Sequence, residues 1–392
     1  MVEPTKTTRR DFLSGKSAAE ALGDALIGPP PQLPPPSAVV GVQPGSHLLS
    51  VSREAMACLF EIVFDAATYR DGTEAAVGAL DLVAALENQL TVYRDTSEVA
   101  AINRRAADES VMVEEGLFQL LKRAVALSEA TGGAFDVTSG RLSKVWGFFR
   151  RQGQMPSVED VAAALPTVGT RHLQFDDATR SVRYLHPGLE LNLGAIGKGY
   201  ALDRAADSLV SGGIRDFLIH GGNSSVLARG GRKSAECGVR NAEWESGCIE
   251  QNAIDFGHSA LRTPHAAFWS VALRHPLQPN VRLAEFLLCD QALGTSGSGT
   301  QFFHHQGKRY GHILDPRSGW PAEQVLSATV IAPTAEQADA LSTALYVLGL
   351  EPAKVYCQQH PETSALLVTQ SSAAGGIELH SLNLLDDRWR RL

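Results

Sequence analysis

Apolar residues in this chain recur at two spacings, and the irregular order of those spacings limits the fold more than any other feature. Val83, Leu86 and Leu90 fall three and four apart, which predicts an amphipathic helix over residues 73–90. Residues 114–130 predict a second helix, stopped by Gly132-Gly133, and residues 199–210 a third, stopped by Gly212-Gly213. Between them lie strand-like runs. Residues 48–64 read as one or two strands broken near Glu54, and residues 182–193 as a strand pair. Phe217-Leu218-Ile219 is a buried-type strand ended by Gly221-Gly222, and residues 268–275, 286–289 and 326–332 read as further strands. Thr334, with Gln337 three residues on, forms a capping box that opens a last helix running to Leu348 and ending at Gly349. Residues 230–265 are polar and glycine-containing and read as strands joined by long loops. Regular strand–helix alternation would give a doubly wound parallel sheet; the irregular order predicts a mixed α+β fold. No GxGxxG follows a strand, which excludes a Rossmann dinucleotide site.

Bulk properties narrow function by exclusion. The chain of 392 residues can form one large domain or two lobes, with 44% apolar residues to fill a core. A net charge of −8 lacks the basic face that nucleic-acid binding needs. No apolar run approaches the roughly 20 residues of a transmembrane span. The five cysteines are widely spaced and form no CxxC, so neither a zinc site nor a redox motif is indicated. Residues 29–36, Pro-Pro-Pro-Gln-Leu-Pro-Pro-Pro, are a polyproline spacer. They set off a tail of residues 1–46 from a folded part at 47–392. Within the tail, Thr8-Arg9-Arg10-Asp11-Phe12-Leu13 matches a twin-arginine export signal, but Lys16, Glu20 and Asp24 interrupt the apolar segment that should follow. The compartment therefore stays open between the cell envelope and the cytoplasm.

Four segments carry residues suited to chemistry. On the last helix, Asp339 and Thr343 are four apart and share a face beside the Leu341, Leu345, Leu348 stripe. A carboxylate and a hydroxyl side by side are hard donors that suit magnesium. Helix-dipole stabilisation by the Asp and back-bonding by the Thr would explain the same pair. Residues 311–319 hold His312, Ile313, Asp315 and Arg317 around a Pro316 turn, where an imidazole could serve a phosphate or nucleophile, or the polar groups could simply satisfy the turn. Residues 192–200 form a small-residue turn opening a helix, with Lys198 adding charge at a phosphate-attracting N-terminus, though the P-loop spacing is missing. Residues 131–136 place Phe135 and Asp136 after a glycine pair, a setting for a flat ring or for plain packing.

These segments join others in a recognisable order. Met56-Ala57-Cys58 comes first, then residues 93–98 with Asn103, then residues 133–138 followed by Trp146-Gly147-Phe148. Residues 192–203, Gly221-Gly222-Asn223, Thr295-Ser296-Gly297, residues 312–319 and Asp339 to Thr343 complete the series. Together they resemble the ApbE family of FAD:protein FMN transferases over residues 50–370. The resemblance implies a two-lobed α+β fold of the T-fold-like type with FAD between the lobes. It assigns FAD contacts to Met56, Tyr93, Ala134, Phe135, Asp136, Asn192, Lys198 and Ile313 beside His312. It assigns Mg2+ to the Asp339 carboxylate, the Thr343 hydroxyl and the Ala195 carbonyl. His312 is then the candidate base, with Asp315 orienting it. Cys58 stands where the family usually has Thr, Asn192 where many members have Asp, and Gly197 where Ala is usual.

The activity so implied cleaves FAD, attaches FMN through a phosphoester to a Thr or Ser of an acceptor flavoprotein, and releases AMP. FAD hydrolysis to FMN and AMP, and non-catalytic flavin binding, are the alternatives.

Overall fold

Alternating apolar residues cover both faces of one large sheet, and that sheet organises the molecule. The computed structural model describes residues 47–150, 152–231, 268–297, 299, 301–371 and 376–392. The tail with its arginine pair and proline run, the polar stretch at 232–265, Cys237, Cys248, Ser298 and Thr300 lie outside the described residues. Among the described residues, eight strands form the sheet: β1 (Leu48–Ala55), β2 (Cys58–Asp65), β3 (Phe217–Gly221), β4 (Ser225–Arg229), β5 (Gln291–Gly297), β6 (Ser327–Ala332), β7 (Ser364–Gln370) and β8 (Ile377–Leu382). Their order across the sheet is their order in the chain, and every neighbouring pair is antiparallel. The mixed α+β architecture read from the sequence is thus an antiparallel meander with long insertions.

The period-two rule sorts side chains to two buried faces. Phe60, Ile62 and Phe64 of β2, with Phe217 and Ile219 of β3, face the helices. Val63 and Leu218 face the other way, against Trp269, Val271 and Phe286. Those three belong to a second antiparallel sheet made of Trp269–Arg274, Arg282–Leu288 and Trp389–Arg391. Each fully buried Phe or Leu contributes roughly 1.5–3 kcal/mol.

The helical layer comes from the insertions. Between β2 and β3 run α1 (Gly72–Leu90), α2 (Glu98–Arg105), α3 (Glu115–Ala130) and α4 (Gly197–Ser211); α5 (Ala335–Leu348) joins β6 to β7. The helices expected over 73–90, 114–130 and 199–210 are α1, α3 and α4. Helix α2, unforeseen, is capped by Ser97, whose Oγ accepts from the Ala100 amide at 3.0 Å. A third apolar cluster surrounds Trp146 and includes Phe148, Val161, Phe303, Tyr310 and Trp320. Among the described residues no helix is long and apolar enough to cross a membrane.

Two readings need correction. The break near Glu54 lies further on: Ala55 faces Cys58, and Met56-Ala57 is a two-residue turn with φ of 50° and 58°. Positive φ at both positions is what a tight hairpin demands. The alternation over 182–193 yields only the strand Ser181–Tyr184, because His186-Pro187-Gly188 turns the chain away, with Gly188 at φ 85°.

Candidate active site

Helix α5 owes its position to contacts at its first turn. The Thr334 hydroxyl accepts from the Gln337 amide at 3.2 Å, the cap foreseen from sequence. Asp203 of α4 accepts from the Ala335 and Glu336 amides at 2.9 and 2.8 Å, a cap supplied from another helix. Burial pushes the Asp203 carboxyl up to about 6 despite these amides. Buried Glu336 receives a bidentate pair from Arg123 of α3, at 2.7 and 2.8 Å. Two glycines permit close approach. A Cβ at Gly199 would overlap the Ala335 carbonyl, and one at Gly294 the Ala338 carbonyl, so α4 and β5 both pack against the bare backbone of α5.

Asp339 sits one turn further on, 4% exposed. Its Oδ2 accepts from the Gly199 amide at 3.1 Å and its Oδ1 from the Ser225 hydroxyl at 3.0 Å. Lys198 Nζ lies 3.5 Å from Oδ1. Thr343 Oγ1 lies 3.0 Å from Ser296 Oγ of β5. The structure therefore gathers Asp339, Thr343 and Lys198, together with Ser225 and Ser296, which the sequence did not single out as site residues. Gly199 is the third residue of α4, so its amide has no partner within the helix and is satisfied by Asp339. Ala195 lies just before the helix, and among the described residues its carbonyl accepts no hydrogen bond. Among the described residues no side chain caps α4. One carboxylate, one hydroxyl and one free carbonyl are a donor set that a hard cation accepts, with positions left for water or phosphate oxygens. Among the described residues no three His, Cys, Asp or Glu side chains converge, so a cation here depends on such neutral oxygens.

His312 is held at the base of the hairpin formed by Phe302–His305 and Lys308–Gly311. Its backbone amide donates to the Gln301 carbonyl at 3.2 Å, and its Nδ1 lies 3.1 Å from the same oxygen. A carbonyl only accepts, so Nδ1 carries the proton and Nε2 presents a lone pair. Burial lowers the His312 pKa; the Gln301 carbonyl opposes this and the Lys198 charge adds to it. A neutral imidazole with a basic Nε2 follows.

Asp315 does not orient it. Both carboxylate oxygens pair with the Arg317 guanidinium at 2.8 Å, and Oδ1 also accepts the Arg317 amide at 2.9 Å. An Asx turn closed by an ion pair consumes this side chain. The Trp146 indole donates to the Gly319 carbonyl at 2.8 Å and pins the end of the same loop.

The remaining residues separate. Met56 occupies the strained β1–β2 turn and packs on the main core, with Cys58 just after it. Burial pushes the Cys58 thiol up; Lys198 opposes this, and Asp339 and Glu87 add to it, which places the thiol within the field of the same charges. Tyr93 is 61% exposed, its ring 4.8 Å from that of Phe149. Phe149 and Asn192 line one cavity of about 120 Å³. Ala134 and Phe135 are buried. Asp136 accepts from the Thr138 amide and hydroxyl at 2.8 and 2.6 Å and from the Thr170 amide at 3.2 Å, so it ties two loops together. It also borders an open hollow of about 740 Å³ with Gly133, Thr170 and Arg317. Ile313 is buried at 8% exposure, its carbonyl accepting from the Ala322 amide. Asp339, Thr343 and His312 line neither of these cavities.

The fold has solved counterparts. The crystal structure of the ApbE protein of Thermotoga maritima superposes with a TM-score of 0.68 at 28% identity, covering 84% of this chain and 96% of that one. Among curated proteins, the FAD:protein FMN transferase of Treponema pallidum (strain Nichols) is 31% identical over 313 residues, 77% of this chain and 80% of that protein. The protein of the same name from Klebsiella pneumoniae (strain 342) is 30% identical over 293 residues, 74% of this chain and 80% of its own length. The profile of the ApbE family matches residues 56–367, and the chain belongs to that family.

Proposed function

We propose that this protein is a magnesium-dependent transferase that moves the FMN half of FAD onto a Thr or Ser hydroxyl of an acceptor flavoprotein and releases AMP. The observation that carries the proposal is the grouping of Lys198, Asp339 and Thr343 at the first turn of α4, which Ala195 directly precedes. That set suits a pyrophosphate together with a hard cation. The names of the curated relatives and the family membership support the flavin chemistry.

The residues divide the work as follows. Asp339, Thr343 and the Ala195 carbonyl would hold Mg2+, which would supply charge neutralisation at the pyrophosphate. Lys198, in the open first turn of α4, binds phosphate oxygens. Tyr93, Ala134, Phe135, Asp136, Asn192, Ile313 and Met56 contact FAD. The neutral His312 takes the hydroxyl proton of the acceptor on Nε2. The acceptor oxygen bonds to the FMN-side phosphorus, the bond from that phosphorus to the AMP oxygen breaks, and AMP leaves with the electron pair. The catalytic domain spans residues 47–392.

The test is incubation with FAD, Mg2+ and candidate acceptor proteins, read by mass spectrometry after denaturation. An acceptor mass raised by one FMN, with matching AMP, is the expected result. AMP with free FMN only would identify water as the acceptor, and FAD bound without AMP release would leave a flavin-binding protein.

A further inference from the structure

Thr343 can serve a cation only if its own proton points elsewhere, and the hydroxyls around it decide that. A hydroxyl has one proton to donate and lone pairs to accept with. Ser342 Oγ lies 2.8 Å from the Asp339 carbonyl, which can only accept, so the Ser342 proton is spent there. Ser296 Oγ lies 2.9 Å from Ser342 Oγ, and that contact must use the Ser296 proton. Ser296 Oγ also lies 3.0 Å from Thr343 Oγ1, and with its own proton spent it can only accept from Thr343. The ordinary alternative for a helical Thr, back-bonding four residues down, is stretched here to 3.5 Å, and Ser342 already occupies that carbonyl. One assignment satisfies every short contact: Thr343 donates to Ser296, Ser296 to Ser342, and Ser342 to the Asp339 carbonyl.

We propose that Ser296 is a positioning residue that draws the Thr343 proton away from the cation site and leaves Thr343 Oγ1 as an acceptor-only ligand for a divalent cation. This rests on the magnesium reading of Asp339 and Thr343. Ser296 is partly buried on β5, and Ser342 is fully buried, so water does not readily replace the middle of the relay. Removing Ser296 leaves the Thr343 proton free to turn into the site, where it opposes a cation. Groups that orient a metal ligand typically change affinity by about 10–100-fold when lost.

The experiment measures Mn2+ binding to the FAD-free protein by electron paramagnetic resonance, in wild type, Ser296→Ala, Ser296→Thr and Thr343→Ala, with thermal melts to confirm folding. Ser296→Ala is expected to weaken Mn2+ about tenfold and Ser296→Thr to restore it. The Mg2+ concentration giving half-maximal AMP release should rise in Ser296→Ala, while the rate at saturating Mg2+ changes little. Should Ser296→Ala misfold, Ser342→Ala reads the same relay: it frees the Ser296 proton to turn toward Thr343, and the expected loss is again about tenfold. Wild-type Mn2+ affinity in Ser296→Ala, with a loss in Thr343→Ala, would overturn the relay and keep the metal site. Unchanged affinity in Thr343→Ala would overturn the metal site itself and the relay with it.

Discussion

The amide of Gly199 donates to the carboxylate of Asp339 at 3.1 Å, joining the first turn of α4 to α5 across 140 residues of chain. This bond fixes one carboxylate oxygen and satisfies an amide that the helix start leaves without an internal partner. It depends on a helix spacing that only glycine tolerates at position 199. Gly199→Ala should force the helices apart, destabilise the protein by about 1–3 kcal/mol and lower Mg2+ affinity together with stability. Thermal melts and Mn2+ titration of that variant provide the check.

Asp339→Asn preserves shape and removes the only carboxylate proposed as a ligand. AMP release should fall more than about 100-fold at fixed Mg2+, because charge stabilisation by a metal is worth several kcal/mol. The variant should still fold, since Asn keeps an acceptor for the Ser225 hydroxyl. Unchanged turnover would remove the magnesium argument.

His312→Ala should slow FMN transfer by about 10²–10⁴-fold while FAD binding changes little. Burial and Lys198 lower the His312 pKa below its ordinary 6.5. The basic form therefore prevails at neutral pH, and wild-type transfer should lose rate only as pH falls through that lowered value. The variant should lose this acid limb. Equal losses in transfer and in FAD affinity would instead make His312 a binding residue.

Asp203 gives a stability prediction with a defined sign. Its carboxyl is raised from 3.8 to about 6 in the folded protein, with burial the main cause. Between those values the folded state holds more protons than the unfolded chain, so stability falls as pH rises from about 4 to about 6 and levels off above. The span is on the order of 2 kcal/mol. Asp203→Asn should lose absolute stability, because one amide of the α5 first turn loses its acceptor, yet flatten this slope. Urea unfolding at pH 4, 5, 6 and 7 reads both effects.

Much was legible in the linear chain. Apolar periodicity marked α1, α3, α4 and the strands around Phe217 and Ala332, and Thr334 marked the start of α5, because periodicity and capping act within a few residues. The same locality misled at 182–193, where alternation continues past the point at which Pro187 and Gly188 turn the chain. Asp315 shows the limit most clearly. Its sequence neighbourhood offers both a histidine and an arginine, and only the folded loop shows Arg317 taking both oxygens.

By itself, then, the sequence determined the mixed α+β class, the helices that carry Lys198, Asp339 and Thr343, and the family resemblance that links them to His312. Tertiary structure alone decided which groups complete the site. Asp203 caps α5 from another helix, Ser225 and the Gly199 amide hold Asp339, and Ser296 meets Thr343 from β5. Serine is common and leaves no periodic signature. These contacts exist only once α4 and β5 close on the backbone of α5, and a hydrogen bond that spans more than 40 residues is set by that packing rather than by any local pattern.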